Sequence, residues 1–198
     1  MSSDIPLLED ALRRAEERLT EKIGEPVTIK FRSYLDETAV KKLTEIDHEK
    51  FRSELWYSSE ELLEKSMKKD FICLILHVDN EPMAFLYGYD DEFDPLWFFL
   101  DEIATKIEGK GIGKVLLILL LVYCFELNYT FVTLYTEDQD EKGRHLRDFY
   151  ENLGFTYMGT DPEVGVIMKY QIEEEDLLKL YNRIMYSEGG PHPPYLRP

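Results

Sequence analysis

The chain has 198 residues, with 44% hydrophobic and 13% aromatic side chains, which suits one α/β-sized domain with a real core and excludes wholesale disorder. Its 40 acidic residues against 23 basic ones give a formal charge of −17, the wrong sign for following a nucleic-acid backbone and the right one for attracting a cationic substrate. Cys73 and Cys124 both sit inside apolar runs and read as buried free thiols, the first residues lack a signal peptide's basic start and apolar centre, and the longest apolar run, 115–125, is too short to cross a membrane. A cytoplasmic protein is therefore expected.

Residues 6–23 carry Leu7, Leu8, Ala11, Ala15 and Leu19 at helical spacing and predict an amphipathic helix closed by Gly24 and Pro26. Alternation over 27–31 predicts a strand. Val40, Leu43, Ile46 and Phe51 mark one face of a helix over 37–50, and Ser58-x-x-Glu61 is a capping box that starts another near Ser59, running to about Lys68. Two strands follow, 71–79 and 83–89, joined by a turn at Asn80-Glu81-Pro82. An acidic turn over 90–95 leads to a long strand from Leu96 to about Thr105.

The sequence Gly109-Lys110-Gly111-Ile112-Gly113-Lys114 then runs straight into an all-apolar helix to about Asn128, the pattern of a helix buried on all sides. A strand over 131–135, a helix over 142–152 stopped by Gly154, a strand pair over 155–158 and 164–170, and a helix over 172–186 complete the order. The tail GGPHPPYLRP is too rich in Pro and Gly to pack regularly. The expected fold is α/β: a mixed, mostly antiparallel central sheet with helices on both faces. The expected division is a helical extension over 1–24, a catalytic domain over 25–171, and a C-terminal helix and tail over 172–198.

Strand, glycine-rich turn and helix N-terminus together suit phosphate. Amides at the start of a helix lack partners, the helix dipole adds positive potential, and glycine lets a ligand approach the backbone. The nucleotide P-loop is excluded because Val115 follows Gly113-Lys114 where Ser or Thr is needed. The dinucleotide fingerprint is excluded because its third glycine comes one position early and the strands upstream form hairpins.

The stretch EGKGIGKVLL resembles the acetyl-CoA loop of the GCN5-related N-acetyltransferase (GNAT) superfamily, [Q/R]-x-x-G-x-[G/A], with Gly111 and Gly113 at its last two fixed positions. Phe149-Tyr150-Glu151-Asn152-Leu153-Gly154-Phe155 is similar to that family's F-Y-x-x-L-G-F, and the likeness spans roughly residues 27–170. Within the superfamily, LTEIDHEKFRSELWYSSEELL is loosely similar to the helix-loop-helix region of ribosomal-protein and protein N-terminal acetyltransferases.

The resemblance implies acetyl transfer from acetyl-CoA, as cosubstrate, directly to an amine. It implies cofactor contacts from Ile103, Ala104, Thr105, Gly109, Lys110, Gly111, Ile112, Gly113 and Lys114. It also implies a base on the strand before the loop, Glu102 in preference to Asp101, and a general acid in Tyr150. A carboxylate in an apolar cleft has a raised pKa, which suits a base. On a regular strand adjacent side chains face opposite sides, so only one of Asp101 and Glu102 is expected in the cleft. Glu108 stands where the family has Gln or Arg, and a carboxylate beside a diphosphate is unfavourable unless it turns away or pairs with a lysine.

Phe51, Trp56, Tyr57 and Tyr87 are candidates for the acceptor pocket, and Asp90, Asp91, Glu92 and Asp94 for attracting a cation. The four histidines show no ligand spacing, so no metal is expected. The preferred acceptor is a peptide or protein amine, an N-terminus or a lysine. A polyamine-like small molecule, a non-catalytic acyl-CoA-binding module and an interaction scaffold remain open. No nucleic acid or membrane partner is expected, and the terminal helices leave room for a homodimer.

Overall fold

The structure, a computed structural model, describes residues 4–140 and 142–186. The expected proline-rich tail lies outside these residues. The elements run α1 Leu8–Ile23, β1 Val27–Arg32, α2 Glu37–Lys50, a 3-10 turn Ser53–Leu55, α3 Ser59–Ser66, β2 Ile72–Val78, β3 Glu81–Asp90, β4 Trp97–Thr105, α4 Ile112–Glu126, β5 Phe131–Thr136, α5 Leu146–Glu151, β6 Thr156–Asp161, β7 Gly165–Gln171 and α6 Glu174–Tyr186.

Seven strands form one sheet in the order β1-β2-β3-β4-β5-β7-β6. Every neighbouring pair is antiparallel except β4–β5, which α4 joins as a crossover and which is therefore parallel. Helix α4 is apolar on every side, with Val115 to Val122 all buried. Such a helix needs cover on its outer face as well as against the sheet. The apolar stripes of α1 (Ala11, Ala15, Leu19) and α6 (Leu177, Leu180, Tyr181, Ile184, Met185) provide it, and all three helices share one buried cluster. On the opposite face α2 and α3 pack Val40, Leu43, Ile46 and Leu62 against Cys73, Ile75, Phe85 and Tyr87.

Two local differences from the sequence reading have clear causes. The hairpin turn falls at Asp79 and Asn80, both with positive φ (48° and 67°), so β3 already begins at Glu81. A two-residue turn of that geometry matches the twist of the strands it joins. Helix α5 starts at Leu146, not near Lys142. The Asp140 carboxylate accepts the amides of Lys142 and Arg144, and Gly143 adopts a left-handed φ of 74°, so a turn occupies the predicted first helical turn.

The feature that positions the site is the way β4 leaves β5. The two pair only from Trp97 to Leu100, against Phe131 to Leu134. Beyond that point β5 continues beside β7, and residues 102–105 of β4 pair with β3 alone. A wedge thus opens in the middle of the sheet, with one edge of β4 unpaired along it.

Candidate functional site

At the start of that wedge β4 carries a bulge. Tyr87 pairs with Glu102 and Gly88 with Leu100, so Asp101 is an extra residue opposite β3. Gly88 is required there: a Cβ on it would lie 2.3 Å from the Phe99 carbonyl oxygen and 2.5 Å from the Phe98 ring. The bulge corrects the expectation that Asp101 and Glu102 face opposite sides. An extra residue resets the alternation, and both acids turn toward α2 and α3.

Their surroundings differ. Asp101 accepts from the Tyr89 hydroxyl at 2.7 Å and the Tyr57 hydroxyl at 3.4 Å, and pairs with the Lys65 ammonium. Glu102 is 7% exposed and accepts at Oε2 from the Tyr87 hydroxyl at 2.7 Å, while its Oε1 has no donor. Asp47 on α2 is 0% exposed; its Oδ2 accepts the Tyr57 amide at 3.1 Å, and its Oδ1 has no donor. Burial and the neighbouring Asp47 charge push the Glu102 carboxyl well above the usual carboxylate range, and burial raises Asp47 as well. The Tyr87 and Tyr57 hydroxyls are pushed up by burial and by these acids, which keeps them protonated as donors.

The glycine loop closes one end of the wedge. Gly109 and Gly111 adopt φ of 74° and 77°, a backbone that side chains resist, and Gly111 is the N-cap of α4. No side chain caps this helix, and no described residue offers an acceptor to the N–H groups from Gly109 to Lys114. A Cβ on Gly113 would meet only Ile103 and Phe149 at ordinary contact. Lys110 donates to the Lys22 carbonyl at 3.1 Å, which ties the loop to the end of α1. Glu108 is held away by three cations, Lys142 at 2.6 Å, Lys50 at 3.5 Å and Arg144 at 3.7 Å, and its carboxyl is pulled below the usual range, chiefly by Lys142. Ile103, Ala104 and Thr105 pair with β3 on one side and leave the β5-side edge of β4 free, and the Thr105 hydroxyl bonds the backbone of Ile107.

Tyr150 is buried between Phe149 and Phe155, at ring distances of 5.1 and 5.5 Å, in the cluster of α4. Burial pushes its hydroxyl up. It lies in the cluster opposite Glu102, and among the described residues no hydrogen bond joins the two. Of the suggested pocket aromatics, Tyr87 is fully buried and serves Glu102, Tyr57 serves Asp101 and Asp47, and Trp56 is exposed, stacked on His48 at 4.2 Å. The acidic turn is largely structural: Asp90 is buried under Tyr129 and Lys69, and Asp91 caps the amides of Phe93 and Asp94. Sequence reasoning missed Asp47. The available signal was its place beside Leu43 and Ile46 on the buried face of α2.

Among the described residues no group of side chains is arranged to hold a metal, and no helix is long and apolar enough to cross a membrane. The model of the Acetyltransferase (GNAT) family matches residues 38–155. A search of the curated proteins returns no match. Among solved structures, the PaiA N-acetyltransferase of Thermoplasma acidophilum, in complex with coenzyme A, superposes with a TM-score of 0.59 at 21% identity, over 73% of this chain and 99% of that one. The ribosomal-protein-S18-alanine N-acetyltransferase of Escherichia coli gives 0.60 at 16%, over 74% and 94%. The aminoglycoside 6'-N-acetyltransferase of Enterococcus faecium gives 0.61 at 17%, over 73% and 97%.

Proposed function

Because the chain belongs to the acetyltransferase (GNAT) family, an acyl-CoA-dependent N-acetyltransferase with acetyl-CoA as cosubstrate, we propose that it acetylates a primary amine of a peptide or protein, an N-terminus or a lysine. The observation that carries the reading is the open row of N–H groups from Gly109 to Lys114, set at the mouth of a wedge whose β4 edge has no strand partner. Those amides and the dipole of α4 suit a diphosphate, and the free edge of Ile103 to Thr105 suits the amide groups of a pantetheine arm. Glu108, neutralised by Lys50, Lys142 and Arg144, leaves the loop free for an anion.

The chemistry follows from the side chains. An ammonium must give up a proton before its nitrogen can attack the thioester carbonyl; Glu102 takes it. As the C–N bond forms and the C–S bond breaks, Tyr150, kept protonated by burial, supplies a proton to the departing sulfur; the second proton shed by the nitrogen as the amide forms restores the tyrosine hydroxyl, and Glu102 returns its own to solvent. A backbone amide of residues 103–105 stabilises the developing oxyanion. Between α2 and α3, Leu55 and Trp56 leave apolar surface exposed, which suits a peptide acceptor. A small polycationic amine is the second reading, favoured by the chain's charge of −17 and by an aminoglycoside enzyme among the structural neighbours.

Calorimetry with coenzyme A, followed by thiol release from acetyl-CoA with a free-N-terminus peptide, a lysine peptide, spermidine and an aminoglycoside, tests the proposal. Turnover fastest on a peptide supports it, and turnover confined to the small amines transfers the conclusion to the second reading. Binding without turnover on any amine marks a non-catalytic module, and absence of binding ends the account.

A further inference from the structure

Two of the most deeply buried carboxyl groups in the protein come from different elements, α2 and β4, and each has one oxygen satisfied and one without a donor. Asp47 is anchored at Oδ2 by the Tyr57 amide, and Glu102 at Oε2 by the Tyr87 hydroxyl. The orphans are Asp47 Oδ1 and Glu102 Oε1. Helix α2 packs against β4, and Tyr57 bridges the two, with its amide on Asp47 and its hydroxyl on Asp101 next to Glu102; each carboxyl also acts electrostatically on the other as a neighbour. A carboxylate has no proton to give, so two ionised groups there would repel in a site almost free of water, whereas one proton between them satisfies both orphan oxygens at once.

We infer that Asp47 and Glu102 form a carboxyl dyad that shares one proton in the resting protein, and that Asp47 is a positioning residue that sets the pH at which Glu102 becomes free to act as the base. The second half rests on the acetyltransferase reading above; the first does not.

The groups facing the dyad leave this arrangement in place. On β4, Asp101 adds negative charge, but its ion pair with Lys65 of α3 engages the cation of that helix. On β3, Tyr87 donates to Glu102. Ahead of α3, Tyr57 gives its amide to Asp47 and its hydroxyl to Asp101. On β2, Cys73 is fully buried and its thiol is pushed up, so it stays neutral. On α2, His48 stands 3.8 Å from Asp47 Oδ2, with its ring out beside Trp56. No described cation faces both orphan oxygens, so the proton is the available counter-charge. When an amine is bound, its ammonium takes over that part and the dyad proton is released to solvent. Glu102 Oε1 is then open to the ammonium's own proton. No other atom changes hands in this step.

Infrared titration of the full-length protein without ligand reads the dyad directly. The expected result is a carboxylic-acid C=O band that persists to pH values where ordinary carboxyls are ionised and that disappears in Glu102→Gln. In Asp47→Asn, which keeps an oxygen for the Tyr57 amide and removes the neighbouring charge, the band should vanish at a pH lower by about one unit or more. The acidic limb of kcat/KM, measured by thiol release with a free-N-terminus peptide, should move down by the same amount. A missing band, or one whose titration Asp47→Asn does not move, overturns the dyad. A limb that stays put while the band moves overturns the role of Asp47 in the reaction. If Asp47→Asn does not fold, Asp47→Ala takes its place in both measurements, and a band that Glu102→Gln leaves in place overturns the dyad by itself. Failure of every amine to turn over, with the band present, would strike the acetyltransferase reading and leave the dyad standing.

Discussion

The two faces of the sheet are packed by opposite means. Beneath α1, α4 and α6 the cluster is hydrocarbon and aromatic ring, organised around a helix that has no polar side. Beneath α2 and α3 the cluster is smaller and holds the buried acids Asp47 and Glu102, with Asp101 beside them and three tyrosines serving as donors. The difference teaches a division of labour. Burying hydrocarbon is favourable wherever it happens, so one face can stabilise the chain, and the other can hold carboxyl groups whose burial is unfavourable but chemically useful. A second contrast lies within β4 and its loop. Glu102 and Glu108 are the same residue type six positions apart, yet burial drives one pKa up and lysine pairing draws the other down.

The largest stability effect should come from the hydrocarbon face. Leu119→Ala, at a fully buried position of α4, should cost about 2–5 kcal/mol, read as the denaturation free energy, while kcat per folded molecule stays near the wild-type value. A large fall in kcat would break the separation of the two faces.

Next in size is the pH dependence of stability on the acidic face. The folded-state pKa of Glu102 lies above its ordinary value of 4.5, so the folded chain binds this proton more tightly than the unfolded one. Its contribution is complete below the unfolded pKa and is lost as pH rises from there through the folded pKa, at about 1.4 kcal/mol per unit inside that window. Glu102→Gln, which mimics the protonated form, should remove this loss and make the variant more stable than wild type at alkaline pH. Urea denaturation across pH measures the difference, and parallel curves would contradict the assigned burial.

The smallest effect belongs to Glu108. Its carboxylate is held among Lys50, Lys142 and Arg144, so Glu108→Gln should change the KM for acetyl-CoA by no more than about fivefold, the scale of a screened surface pair. A larger improvement would sharpen the contrast by showing that the charge does reach the loop.

Much of this was legible in the sequence. Apolar periodicity located α1 and α2, the capping box located α3, an unbroken apolar run located α4, and glycine spacing located the turn before it. The Ser58–Glu61 capping box is present with both of its hydrogen bonds. The sequence could not reveal the bulge at Asp101, because it depends on how closely Gly88 lets β3 approach β4. Nor could it reveal Asp47, which differs from the other acids of α2 only by facing inward, toward a residue more than fifty positions away. Local pattern carries helix faces and turns; register and the meeting of distant side chains are decided in three dimensions. Tyr150 shows the same limit: its motif was readable, but its place in the cluster opposite Glu102 was not.

The most direct test of the account measures kcat/KM for acetyl transfer and the affinity for coenzyme A side by side in wild type and Glu102→Gln. The expected result is a rate about 10²–10⁴-fold lower with unchanged coenzyme affinity, as for a base that acts on the amine and not on the cosubstrate. A Glu102→Gln rate within about threefold of wild type, by the same scale for a lost base, would contradict it.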